Sequence, residues 1–170
     1  NTYEAPDNVY THLLMLIDQS PYRERFHMLG WRPWTEMPQF YQESDVGVNI
    51  DARHYETLYG TRTRLVDMIA SGLPVVTSLG AELSYLLRDN GAALTFAVGD
   101  WKTMGEQLIK LANNCALRNE MAHTAYQFAT GVLSFANTTS AIRSWVHHPK
   151  LAPDKQIHGF DAKVRHFEYR

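Results

Sequence analysis

The sequence predicts an α/β fold: a Rossmann-like parallel sheet flanked by helices. Three observations carry that prediction. Short apolar runs at 46–50, 75–76 and 92–98 alternate with segments whose apolar residues recur every three to four positions. Gly, Pro and Asn-Gly punctuate the boundaries between them. The stretch 46–77 reads strand, polar loop, helix, strand, which is one complete βαβ unit.

The elements follow in chain order. Residues 1–7 read as a loop with no initiating Met. Val9, Leu13, Leu14, Leu16 and Ile17 form a helical stripe, with Asp7 or Asn8 as a cap. A crossover helix needs a strand before it, so an N-terminally truncated domain is expected. Residues 25–29 are a strand candidate ended by Gly30-Trp31-Arg32-Pro33, and a helix follows from Thr35 with Met37, Phe40 and Tyr41 facing inward. After the strand at 46–50 comes the polar loop. The next helix carries Leu65, Val66, Met68, Ile69 and Ala70 and stops at Gly72. Pro74 opens the strand at 75–76. Leu83, Leu86 and Leu87 stripe the following helix, which Asp89-Asn90-Gly91 ends in a left-handed turn. The strand at 92–98 leads through Gly99-Asp100 into a helix with Met104, Leu108 and Leu111. Two more helices are expected at 117–134 and 138–147. The domain therefore covers 1–147, and 148–170 reads as an extended tail. Strands alternating with helices place helices on both faces of the sheet, through right-handed crossovers.

Bulk properties narrow the function. The 170 residues are 45% apolar and 20% charged, which suits a packed domain, and the net charge of −2 gives no nucleic-acid footprint. The single Cys115 excludes an internal disulfide and a multi-Cys zinc site. No run approaches the ~20 apolar residues of a membrane span, and no signal peptide is visible, so a cytoplasmic location is expected; membrane contact by the tail stays open. HExxH and Asp-x-Asp are absent, which leaves a metal site unsupported, and neither a Walker loop nor GxGxxG is present. No metal and no resident cofactor are expected.

The polar loop concentrates the chemistry. Ligands of open parallel sheets bind beyond the carboxyl ends of the strands, where this loop falls. Thr61-Arg62-Thr63-Arg64 stands at a helix start, whose unpaired N–H groups and dipole favour an anion. Gly60 lets an anion approach the backbone. Hydroxyls and a guanidinium add donors, a set that suits a pyrophosphate. The plainer reading is a threonine cap with both arginines solvated; residues two apart do not share a helix face, so one Arg at most would reach a ligand. Asp67, a turn or so deeper, can accept hydrogen bonds from ribose hydroxyls, or pair with Arg64. Glu56, beside His54 and Tyr55, can hold sugar hydroxyls or steady a positive reaction centre, or be a solvated loop carboxylate.

The run LVDMIASGLPVVTSLGAEL resembles the signature of group 1 (family 4) glycosyltransferases: an acidic residue (Asp67), a helix to Ser71, Gly72-Leu73-Pro74, then Val75-Val76. FHMLGW and FYQESDVGVNI upstream, and NGAALTFAVGDWKTMGEQLIKLANN downstream, are similar to the same family, over about 26–128. ETLYGTRTRLVD and the Trp145 to Pro149 spacing resemble one branch of it. The resemblance implies the C-terminal, donor-binding half of a GT-B fold, with the acceptor-binding N-terminal domain outside this chain. It implies Asp67 on the ribose. The family's Glu-x7-Glu pattern is broken, because Tyr59 stands at the first place; Glu56, three residues earlier, is expected to supply that carboxylate.

The expected function is thus a metal-independent, retaining hexosyltransferase of polysaccharide biosynthesis. Its nucleotide-diphosphate sugar is a substrate, not a cofactor. Glu56 is the expected catalytic residue, and Tyr59, Gly60, Thr61, Arg62, Thr63, Arg64 and Asp67 are expected at the donor. This domain alone is expected to be inactive. The alternatives are a nucleotide-sugar epimerase on the same scaffold and a non-catalytic nucleotide or interaction domain. Sugar, base, acceptor and oligomeric state are not encoded in these patterns.

Overall fold

The computed structural model describes residues 9–150. The expected Asp7 or Asn8 cap and most of the expected tail lie outside the described residues. The chain divides into two compact units, 1–39 and 40–170.

In the first unit, α1 (Val9–Asp18) forms where the apolar spacing predicts it, but none of its residues is buried. Single 3-10 turns follow at Arg23–Arg25 and Trp34–Glu36. The expected strand at 25–29 does not form; residues 26–33 have no regular secondary structure. A strand exists by pairing its N–H and C=O groups, and no described strand pairs with this segment. Helix α2 (Met37–Glu43) runs across the division, and Met37, Phe40 and Tyr41 are its half-buried positions.

The second unit holds three parallel strands, β1 (Gly47–Asn49), β2 (Val75–Leu79) and β3 (Ala93–Ala97), in the order β1-β2-β3. Gly47 pairs with Val75, and Val75 with Ala93. Helices α3 (Tyr55–Tyr59) and α4 (Thr63–Ala70) connect β1 to β2, and α5 (Glu82–Asp89) connects β2 to β3. Four helices follow: α6 (Trp101–Ala112), α7 (Cys115–Thr130), α8 (Phe135–Thr138) and α9 (Ser140–His147). The expected helix at 117–134 starts two residues earlier. Asn114 caps it, with Oδ1 accepting from the Leu117 N–H at 2.9 Å. It stops at Gly131, where a Cβ would sit 2.8 Å from the Gln127 carbonyl oxygen.

Alternation along β2 divides the core into two layers. Val75 points to a layer built from Leu65 and Ile69 of α4, Leu83 and Leu87 of α5, and Ala125 and Phe128 of α7. Val76 points to the other, with Phe96 of β3, Leu111 of α6 and Met121 of α7. Helices thus cover both faces of the sheet, as the alternating pattern predicts.

β1 departs from its apolar pattern. Gly47 and Asn49 are buried, whereas Val48 and Ile50 are 37% and 63% exposed. The reason is α4. A Cβ on Gly47 would lie 2.8 Å from Met68 Sδ and 3.0 Å from Leu73 Cδ2, so the glycine lets α4 and the turn after it press against the strand. Asn49 is admitted to the same face because its amide bonds to Thr77 Oγ1 at 3.1 Å.

At the start of α6, Asp100 accepts from the Thr103 N–H (3.0 Å) and from its hydroxyl (2.6 Å). These bonds hold the Asp100 carboxyl below the ordinary aspartate value. A lowered carboxyl favours the fold above its unfolded pKa, and that contribution is lost as pH falls through the folded one. A proton titration followed by NMR is expected to put the Asp100 midpoint below 3.8, and Thr103→Val to move it up. Ile69, at 0% exposure in the first core layer, anchors α4 on the sheet. Ile69→Ala is expected to cost about 2–5 kcal/mol in urea unfolding.

Candidate functional site

The carboxyl ends of the three strands open into one hollow. Its volume is about 580 Å³, a size that accommodates a small-molecule ligand. Leu79 and Gly80 line it from the end of β2, Ala97 and Val98 from the end of β3, Arg53, His54, Tyr55, Thr57 and Leu58 from the loop and helix after β1, and Tyr85 from α5. Among the described residues the lining carries a guanidinium, an imidazole and two phenols, and no carboxylate. Arg88 lies over the Tyr85 ring at 5.2 Å. A second hollow of about 330 Å³ is lined by Leu58, Tyr59, Gly60 and Thr61 together with Glu82, Leu83 and Leu86 of α5. Leu58 borders both hollows, so α3 stands between them.

A cluster of buried polar residues seats α3. Asn49, Asp51, Thr57, Arg62, Thr77 and Ser78 are each 7% exposed or less. The Asp51 N–H donates to Ser78 Oγ at 2.8 Å, and the Asn49 amide donates to Asp51 Oδ2 at 2.8 Å. Arg62 closes the cluster from the far side of α3. Its Nε lies 2.8 Å from Asp51 Oδ1, one terminal nitrogen donates to Thr57 Oγ1 at 2.8 Å, and the other to Glu56 Oε1 at 3.2 Å. The Thr57 hydroxyl in turn donates to the Ala52 carbonyl at 2.7 Å. Two glycines make room. A Cβ on Gly80 would lie 2.6 Å from Thr57 Cγ2, and one on Gly60 would lie 2.5 Å from the Glu56 carbonyl oxygen.

The residues expected in one phosphate-binding turn are dispersed. Arg62 is turned inward at 5% exposure and lines neither hollow. The cause is Asp51: a buried carboxylate needs a cation, and among the described residues Arg62 supplies it. Gly60 and Thr61 line the second hollow with Tyr59. The space expected for an anion at Gly60 is taken by the Glu56 carbonyl. Thr63, Arg64 and Asp67 are exposed on α4 and line neither hollow. Arg62 itself occupies the N-cap position of α4, and no side chain caps that helix. Glu56 projects outward from α3, 74% exposed, with the Arg62 contact at its carboxylate. On α4, Asp67 and Arg64 act on Tyr41: burial first, then the Asp67 charge, raises the phenol above its ordinary value, and Arg64 opposes them.

Sequence reasoning missed Arg53, Tyr85, Asp51 and Thr57. The signal for Asp51 was present: Asn49-x-Asp51 places two polar side chains in the buried phase of a strand end. The signal for Thr57 was its Gly80 neighbour, which only the tertiary fold brings near.

Fold and site together define a Rossmann-like α/β domain with a hollow beyond the carboxyl ends of a parallel sheet. The chain belongs to the glycosyl transferase-like family, whose model matches residues 8–143. Its architecture is that of the GT-B glycosyltransferases. The crystal structure of WaaG, a glycosyltransferase involved in lipopolysaccharide biosynthesis, matches it with a TM-score of 0.64 at 17% identity, over 82% of this chain and 36% of WaaG. The chain thus spans about a third of the length of that relative. No curated protein matches it in sequence. Among the described residues no helix is long and apolar enough to cross a membrane, and no three His, Cys, Asp or Glu residues are grouped to hold a metal ion.

Removing one partner of the buried pair strands the other charge. Arg62→Met is expected to cost about 3–5 kcal/mol in urea unfolding, and Arg62→Met combined with Asp51→Asn is expected to recover part of that loss.

Proposed function

We propose that this domain binds a nucleotide-diphosphate sugar, from which the whole protein transfers a hexosyl group to an acceptor. The acceptor is held by an N-terminal domain outside this chain. In this reading the transfer retains anomeric configuration, needs no metal and no resident cofactor, and takes place in the cytoplasm. The observation that carries it is the hollow of about 580 Å³ at the strand ends, bordered by Arg53 and His54 and by no carboxylate. Such a lining favours the anionic diphosphate, and in a low-dielectric cleft a fixed cation stabilises the charge that develops on the leaving group. Tyr55 and Tyr85 offer faces on which a base or sugar ring can stack.

Glu56 is the proposed catalytic carboxylate. It is exposed on the helix between the two hollows, so it is accessible to a sugar that leaves either one. The proposed donor contacts of Tyr59, Gly60 and Thr61 gain support from the second hollow, which these residues line. Those of Thr63, Arg64 and Asp67 rest on the family resemblance alone. Arg62 leaves the list of phosphate ligands, since it is buried against Asp51, Thr57 and Glu56 and lines neither hollow.

A second reading, a nucleotide-binding domain without turnover, is favoured by Tyr59 standing where the family's first glutamate is expected. Calorimetry tests the nucleotide binding that both require, and hexosyl transfer by the full-length protein distinguishes the two. One of UDP, GDP or ADP is expected to bind saturably, and Arg53→Ala to weaken it by about ten-fold, the worth of one charge-assisted hydrogen bond. Glu56→Gln is expected to spare the nucleotide and to abolish hexosyl transfer by the full-length protein. No binding of any nucleotide sinks the donor reading. Full transfer by Glu56→Gln removes Glu56 from the chemistry, and unchanged nucleotide affinity in Asp67→Ala removes Asp67 from the site.

A further inference from the structure

We infer that Arg62 is a positioning residue: it fixes α3 on the sheet and holds the Glu56 carboxylate in place, without touching the donor. The inference deepens the donor reading above and rests on it for the role of Glu56. It also carries a claim about α3 that stands apart from that reading.

The geometry supports it in three steps. First, the guanidinium divides its contacts among three partners: one terminal nitrogen donates to Thr57, the other donates to Glu56, and the Asp51 carboxylate lies against Nε as an ion pair at 2.8 Å. A planar fork with its donors so divided has one orientation, and whatever it holds is held at fixed angles. Second, those partners come from different places. Asp51 follows the end of β1 and is itself bonded to Ser78 of β2 through its N–H, whereas Thr57 and Glu56 are consecutive residues of α3. Arg62 therefore ties a five-residue helix to the sheet. A helix so short does not hold its place through its own hydrogen bonds. Third, the two ends of the tie differ in exposure. Asp51 is 4% exposed and Glu56 is 74% exposed. The buried end makes the arginine immobile; the exposed end presents one carboxylate to solvent beside the hollow. A lysine in its place would bring a single nitrogen and could not serve all three partners.

Two measurements on the full-length protein test this. In the first, amide hydrogen exchange is read with no ligand present. Because Arg62→Met strands Asp51, the Arg62→Met/Asp51→Asn double variant is used beside Arg62→Lys. Exchange of the α3 amides at Thr57, Leu58 and Gly60 is expected to accelerate by at least about ten-fold relative to the β2 amides, which corresponds to the loss of one hydrogen bond to a charged group. Unchanged α3 exchange in the double variant overturns the tie, whatever the protein binds.

In the second, calorimetry compares UDP with UDP-glucose, GDP with GDP-mannose, and ADP with ADP-glucose. For whichever pair binds, the double variant is expected to keep its nucleoside diphosphate affinity and to lose the extra affinity of the sugar ester, with Glu56→Gln adding no further loss. A drop in nucleoside diphosphate affinity with the sugar increment intact makes Arg62 a phosphate ligand and overturns the inference. Additive losses from Arg62 and Glu56 overturn it too, because residues acting through one another do not add. If wild-type protein binds no nucleotide, the donor reading fails and with it the role given to Glu56. The hydrogen-exchange result then decides on the tie to α3 alone.

Discussion

A buried ion pair governs the carboxyl-terminal end of the sheet in this domain. Asp51 sits where β1 leaves the sheet, with its carboxylate 4% exposed. A charge taken that far out of water is tolerated only when it is paired and its remaining lone pairs are occupied. Arg62 supplies the pair, and the Asn49 amide occupies the second oxygen. From this requirement much else follows. Arg62 must turn inward, the chain from 55 to 61 must loop out around it, and α3 becomes the partition between two hollows. The walls of the two hollows are in this sense the outer side of a structure that neutralises one aspartate.

The core explains why the partition can be so short. The apolar layer on the Val75 face of β2 fixes α4 and α5, the next two helices after α3 in sequence. Leu65 and Ile69 of α4 and Leu87 of α5 are fully buried. α3 buries only Thr57, and polar contacts therefore do for it what apolar burial does for its neighbours. Polar contacts are directional where apolar burial is not. A wall held by directional bonds suits a surface that must present groups at defined angles.

The parts of the fold that depend on apolar spacing were legible in the sequence. The alternation of strands and helices, the three strands of the sheet, and helices α4 to α7 all follow from periods of two and 3.6 and from Gly and Pro punctuation. The parts that depend on a partner were not. Residues 25–29 look like a strand, yet no described strand pairs with them. Val48 and Ile50 look like the inner face of β1, yet the inner face belongs to Gly47 and Asn49, because α4 presses on the glycine. The same limit applies at the site. Arg62 and Arg64 look equivalent in the sequence, both beside a threonine at a helix start. What separates them is Asp51, eleven residues before Arg62 and brought within 2.8 Å by the fold. A carboxylate in the buried phase of a strand end is the clue to look for in related sequences.

Thr57 occupies the space that a side chain at residue 80 would need. That wall of the larger hollow is consequently incompressible: enlarging residue 80 lifts α3 and disturbs the polar cluster before it narrows the cavity. Arg53, Tyr55 and Tyr85 line the same hollow from outside the cluster. The shape of that hollow can therefore be altered at those three side chains without opening the polar cluster, whereas enlarging Gly80 meets Thr57 first.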